Sequence, residues 1–216
     1  MSAAVQIPAG ACVLDADLAG PDAPVGVVAF AHGSGSSRHS PRNREVAAVL
    51  QEAGLATLLA DLLTPEEEQA DLRTGHLRFD IGLLAGRLVA ITEWLSVEPT
   101  TAGLPVGFFG ASTGGAAALV AAAHHPQGVS AVVSRGGRPD LAGADLGAVR
   151  APTLLIVGGR DDVVLGLNRQ ALGELRCEKR LEVVPGATHL FEEPGALQTV
   201  AELARAWFLD HLSTVG

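Results

Sequence analysis

Short apolar runs of strand length alternate along this chain with stretches whose apolar residues recur every three or four positions. That alternation predicts an α/β fold: a mostly parallel sheet of about eight strands with helices on both faces. Gly26–Ala31, Val129–Val133 and Ala151–Val157 are continuous apolar runs, the pattern of strands covered on both sides. Ile81, Leu84, Leu88, Ile91 and Leu95 form the stripe of a long amphipathic helix. With 216 residues, 48% of them hydrophobic, the chain is long enough to bury a substantial core as one domain over 1–216.

Taken in order, Ala4–Ile7 and Cys12–Leu18 read as two leading strands around Pro8-Ala9-Gly10, a hairpin at the sheet edge. Gly26–Ala31 ends in the loop His32-Gly33-Ser34-Gly35-Ser36-Ser37, and Pro41–Glu52 can form a helix with Val46, Val49 and Leu50 inward. Ala56–Leu63 is the next strand, followed by Thr64-Pro65-Glu66-Glu67-Glu68, expected as a polar loop with a solvated charge run. After the long helix come a strand near Val106 and an Ala-rich helix, then Val129–Val133 and Ala151–Val157. A helix from about Leu165 to Leu175 leads to Arg180–Val183, whose alternation marks an edge strand wet on one side. Val200, Leu203 and Trp207 give the inner face of a final helix. Only Arg135–Ala151 separates two of the strands, too little for an inserted lid, so the site should be shallow and open.

Composition excludes several function classes. The formal net charge of -9 argues against nucleic-acid and anionic-membrane partners, because neutralising phosphates takes clustered Lys and Arg. Lys179 is the sole lysine, which rules out a Walker-type phosphate loop. No run approaches the roughly 18 uninterrupted apolar residues of a membrane span, and the N-terminus lacks the charged and apolar regions of a signal peptide. Cys12 and Cys177 are isolated and read as buried free thiols rather than a disulfide or metal ligands. Cytoplasmic residence is the expectation, with no cofactor or metal; the oligomeric state is open.

The chemistry centres on Gly110-Ala111-Ser112-Thr113-Gly114, a G-x-S-x-G pattern between an apolar strand and an Ala-rich helix. A sharp strand-to-helix turn of this kind lifts a serine Oγ above the carboxyl end of a sheet, and small neighbours make the turn possible. With 26 glycines in the chain, chance alone would supply one such pattern about one time in seven, so context decides. Two further strand ends carry polar groups: Gly158-Gly159-Arg160-Asp161-Asp162 and Gly186-Ala187-Thr188-His189. Chain order is therefore serine, aspartate, histidine, the order that accompanies a G-x-S-x-G nucleophile.

These three segments, with His32-Gly33 after the third strand as a fourth, resemble the α/β-hydrolases and, within them, the dienelactone-hydrolase-like group. The resemblance covers nearly the whole chain. It implies the α/β-hydrolase fold, here with no lid domain by the Arg135–Ala151 spacing, Ser112 as nucleophile, Asp161 rather than Asp162 as acid, His189 as base, and hydrolysis of an ester-type bond. Dienelactone hydrolases proper carry cysteine in the elbow, where this chain has Ser112.

The expected roles follow from acid–base chemistry. A neutral hydroxyl is a weak nucleophile, so His189 takes its proton during attack, and Asp161 holds the imidazole tautomer. The oxyanion needs two N–H donors, expected from Thr113 and Ser34. His32 would orient the oxyanion loop, while Arg78 and Arg135 are candidates for the mouth of the site, where either would attract an anionic substrate group. His124-His125 and the Glu192-Glu193 pair read as structural or solvated groups. The resulting expectation is a serine hydrolase of small carboxylic esters. The alternatives are lactone, thioester or peptide hydrolysis on the same residues, and a catalytically silent binding protein.

Overall fold

The computed structural model describes residues 1–212. Its centre is one eight-stranded sheet in the spatial order β1-β2-β4-β3-β5-β6-β7-β8. The strands are β1 (Ser2–Ala9), β2 (Cys12–Ala19), β3 (Val27–Ala31), β4 (Ala56–Ala60), β5 (Val106–Ala111), β6 (Ala131–Arg135), β7 (Thr153–Gly158) and β8 (Lys179–Val184). The expected leading hairpin is present: β1 pairs antiparallel with β2, and β2 antiparallel with β4, while every later pairing is parallel. The five strands β3 to β7 are buried along their whole length, as continuous apolar runs require. In β8 only Val184 is buried, so this edge is wet.

Helices cover both faces. On one side α1 (Pro41–Glu52) and α6 (Ala196–Leu212) bury Val46, Leu50, Val200, Trp207 and Phe208 against Val28, Phe30, Phe109 and Val133. On the other, α3 (Ile81–Val97) and α4 (Thr113–His124) set Leu84, Leu88, Ile91 and the Ala117–Ala122 run against Ala29, Phe108 and Val132. The fifth helix, α5 (Asp162–Glu174), begins directly after β7. Between β6 and β7 there is only a 3-10 segment, Pro139–Ala148, and no inserted lid.

The strand order explains where a site can form. From β3 the chain crosses by α1 to β4 on one side, and from β4 it crosses by α3 to β5 on the other, so β3 lies between its two successors. At such a reversal the loops leaving adjacent strands diverge to opposite faces and open a crevice at the carboxyl ends. The Gly-Ser loop after β3 and the elbow after β5 flank that crevice.

One sequence expectation fails here. Thr64–Glu68 is not a loop but the start of a further helix, α2 (Pro65–Thr74). Its signal is local: the Thr64 hydroxyl accepts from the Glu67 N–H at 3.2 Å, and the Glu67 carboxylate accepts from the Thr64 N–H at 2.8 Å. With Pro65 opening the first turn and three glutamates at the positive end of the helix, the segment has its start signals but no apolar stripe. Asp71 is its one buried residue. Glu67 is likewise no bystander in a solvated run, since it also pairs with the buried Arg87 of α3 at 2.6 Å.

Candidate active site

Ser112 sits at the junction of β5 and α4 with φ 51 and ψ -120, a conformation that costs a non-glycine residue about 1–3 kcal/mol and persists only where the surroundings enforce it. Two glycines make that enforcement possible. A Cβ on Gly114 would lie 2.1 Å from the Ala31 carbonyl oxygen, and one on Gly110 would lie 2.5 Å from the Gly114 oxygen. Here G-x-S-x-G is needed for backbone contact, because the positive φ belongs to the serine itself. The Ser112 N–H donates to the Arg135 carbonyl at 3.3 Å, and its own carbonyl accepts from Gly115 and Arg138 at 3.0 and 3.1 Å. The turn is thus tied to β6 on one side and pressed on β3 on the other.

His189 lies in the loop between β8 and α6. Its Nδ1 is 2.6 Å from Asp161 Oδ2. A carboxylate can only accept, so Nδ1 carries a proton, and in the neutral imidazole Nε2 is left with its lone pair. Gly136, one residue beyond Arg135, has φ +52, and a Cβ there would stand 3.2 Å from the His189 carbonyl oxygen and 3.5 Å from its Cε1 and Nδ1. The ring therefore lies over the end of β6, whose carbonyl holds Ser112. Among the described residues no hydrogen bond joins Ser112 Oγ to His189, a link that often tightens only when substrate is bound. Asp161 is held as the residue before α5, while Asp162 falls in the first turn of that helix and is exposed. The histidine loop itself rests on Gly158, where a Cβ would stand 2.4 Å from the Ala187 oxygen.

Glu193, expected to be solvated, instead accepts from the Thr188 N–H at 3.1 Å. Hydrogen bonding from the Thr188 side chain first, then from the backbone N–H groups of Glu193 and Thr188, lowers its carboxyl pKa from the ordinary value, helped by the Arg160 charge. Glu193 anchors the residue preceding His189. No spacing rule would have found it, because the partner is a backbone group brought close by the loop.

The two expected oxyanion donors lie side by side, but not equally free. Thr113 N–H opens α4 and has no partner among the described residues, as first-turn N–H groups do. Ser34 N–H donates to the Thr113 hydroxyl at 2.9 Å. His32 is buried and bridges two segments: Leu62 N–H donates to its Nε2 at 3.1 Å, and its Nδ1–H donates to the Gly33 carbonyl at 3.0 Å. With both ring nitrogens occupied, it fixes the loop rather than offering a group to substrate.

The arginines separate sharply. Arg135 does not stand at the mouth of the site. It is 6% exposed, stacked 5.8 Å from the Phe191 ring centroid and donating to Asn43 Oδ1 at 3.3 Å, with no carboxylate partner among the described residues. Burial, with the Arg42 charge nearby, pushes its guanidinium down to about 10. Arg78 does face the site, lining a cavity of about 530 Å³ enclosed by the Gly-Ser loop, Thr113 and α2. Its Nε, however, is 2.5 Å from the buried Asp71 carboxylate, and its Nη2 donates to the Asp71 carbonyl at 3.0 Å. The expectation of a shallow, open site is sharpened on this side: no lid is inserted and the cavity stays open to solvent, but α2 lines one side of it.

Cys12 and Cys177 are free thiols and half-buried rather than buried, the first on β2 and the second in the connection between α5 and β8. No helix among the described residues is long and apolar enough to cross a membrane.

Comparisons with known proteins agree with this geometry. A dienelactone hydrolase from Anabaena variabilis, solved by crystallography, is 62% identical and superposes with a TM-score of 0.96 over 98% of both chains. An esterase domain from a Rhodothermus marinus protein shares the fold at 21% identity, with a TM-score of 0.76 over 98% of this chain and 99% of its own. Two Mycobacterium tuberculosis proteins, from strains CDC 1551 and H37Rv, are 62% identical over 212 residues. They are provisionally named phosphoribosyl transferase, and the matched stretch is 98% of this chain but 47% of theirs, so this chain spans about half the length of the curated relatives it matches. The family model for dienelactone hydrolases matches residues 14–214. An eight-stranded α/β-hydrolase sheet, an elbow after β5 and that match over nearly the whole chain place this protein in the dienelactone hydrolase family.

Proposed function

We propose that this member of the family is a serine hydrolase that cleaves small carboxylic ester bonds through an acyl-enzyme, with Ser112, His189 and Asp161 as its catalytic residues. The observation that carries the reading is the 2.6 Å contact between His189 Nδ1 and Asp161 Oδ2, formed beside a serine held at φ 51. His189 Nε2 accepts the Ser112 hydroxyl proton as Oγ bonds to the ester carbonyl carbon. The carbonyl π pair moves to oxygen, and its return expels the alcohol, which takes the proton from His189. Water repeats the sequence on the acyl-serine and releases the acid.

Thr113 N–H is one donor to the transient oxyanion. Ser34 N–H becomes the second when the Thr113 hydroxyl turns away, and each donor of this kind is worth about 3–4 kcal/mol of barrier. The scheme needs no metal and no cofactor. A lactone is an intramolecular ester, so the same steps open one, and the Anabaena variabilis relative keeps that second reading alive. The transferase name of the longer Mycobacterium relatives belongs, on this reading, to the half that this chain does not match.

Replacing Ser112 by Ala tests the proposal. Turnover of a short p-nitrophenyl ester should fall by about 10³-fold or more, with the fold unchanged by circular dichroism; a variant retaining full activity would refute it.

A further inference from the structure

We infer that the cavity beside Ser112 accepts a neutral, hydroxyl-bearing group on an apolar body and discriminates against carboxylates. The inference rests on the esterase reading and names the substrate class for that site. The cavity lies next to the nucleophile: Gly33 and Thr113, on either side of Ser112, line it, and a Cβ on Gly33 would stand 3.1 Å from Ser112 Cβ. Whatever is attached to an ester carbonyl at Ser112 has this space as its neighbour.

Its charges do not favour an anion. Arg78 is the lone Lys or Arg among the lining residues, and Asp71 cancels it through the contacts already described. Burial alone would raise the Asp71 carboxyl, but hydrogen bonds from Arg78 and the Leu77 N–H, the latter at 2.6 Å, outweigh it and hold the group ionised. Of the histidines, His32 has both nitrogens occupied, and His39 Nδ1 faces Arg44 Nη2 at 2.7 Å. Glu68 also lines the space and forms no ion pair among the described residues. The lining therefore carries an uncompensated negative charge. Glu68 is exposed at the rim of this space, so a carboxylate there would meet a like charge, whereas a hydroxyl can donate to it.

The rest of the lining suits the same group. Ser34, Ser36 and Ser37 form one side with hydroxyls that both donate and accept, and Gln69 faces them from α2. Leu63, Leu84 and Leu72 supply apolar surface, and Leu72 is 70% exposed, so a ligand body lying there would cover it.

The experiment compares esters of equal length that end in methyl, hydroxyl or carboxylate. One series carries the end group on the acyl chain and the other on the leaving alcohol. In the series whose end group reaches the cavity, kcat/KM for the hydroxyl ester should exceed that for the carboxylate by about tenfold or more. Glu68→Gln should narrow this gap and Glu68→Arg reverse it, while Glu66→Gln on the outer face leaves it unchanged. Equal or better turnover of the carboxylate esters in both series, or a gap that ignores the Glu68 variants, would overturn the inference and leave the esterase reading standing. Absence of Ser112-dependent turnover in every series would overturn both.

Discussion

The two sides of the crevice are built by different physics. The elbow side is fixed by backbone: Gly110, Gly114 and Gly158 let main chain approach where any Cβ would collide, and the contacts lie at the ends of buried strands. The α2 side is fixed by polar side chains, with Glu67 bridging to Thr64 and Arg87 and Asp71 holding Leu77 and Arg78, and almost no apolar burial of its own. Close packing resists small changes strongly because a dense interior has nowhere to move. A wall held by a few charge-assisted hydrogen bonds yields more easily. The arrangement therefore joins a rigid reaction centre to a substrate wall that can vary without disturbing it.

Substitutions on the two sides should separate accordingly. The largest effect is expected at Gly114→Ala, whose new Cβ would meet the Ala31 carbonyl at 2.1 Å. The strand-to-loop contact must open, so thermal denaturation should show loss of stability of about 3 kcal/mol or more and esterase assays no measurable turnover; a variant with native melting and activity would break the comparison.

Next in size is Asp161→Asn, which removes the acceptor for His189 Nδ1–H. Its kcat should fall by about 10³–10⁴-fold with melting little changed. The matched Asp162→Asn, in the exposed first turn of α5, should stay within about threefold of the parent, since it meets neither the histidine nor the substrate.

The smallest effect is expected on the α2 side. Asp71→Asn weakens the hold on Leu77 and Arg78, so amide exchange in α2 should accelerate while the central strands keep their protection. The sign with pH follows from the lowered Asp71 pKa. Stability from this group is present above the unfolded carboxylate value of about 3.9 and is lost as pH falls through the lower folded value. Acid should loosen α2 in the parent protein, and that acid dependence should shrink in Asp71→Asn.

The same division decides what was legible in the sequence. The sheet was readable because continuous apolar runs such as Gly26–Ala31 and Ala151–Val157 can serve only as strands covered on both faces. Ser112 and Asp161 were readable as candidates because each follows such a run in a glycine-bounded turn, and His189 because it follows the alternating edge strand in another. The helix α2 was missed because its apolar stripe is absent, and only the pair Thr64 and Glu67 betrayed its start. Glu193 and the Asp71–Arg78 pair were missed for a further reason: their partners are backbone groups or side chains placed by tertiary folding, and a charge run looks the same whether solvated or tied. Arg135 looked like a mouth residue because it follows a strand, yet its side chain turns under the sheet end toward Asn43 and Phe191.

The central claim is that Ser112 is a nucleophile activated by His189. Incubation of the parent protein with a fluorophosphonate probe, followed by peptide mass spectrometry, tests it most directly. The account predicts a single phosphonylated residue, Ser112, with labelling slowed strongly in His189→Ala and absent in Ser112→Ala. A folded parent protein that takes up no label, or takes it up at a residue other than Ser112, would contradict it.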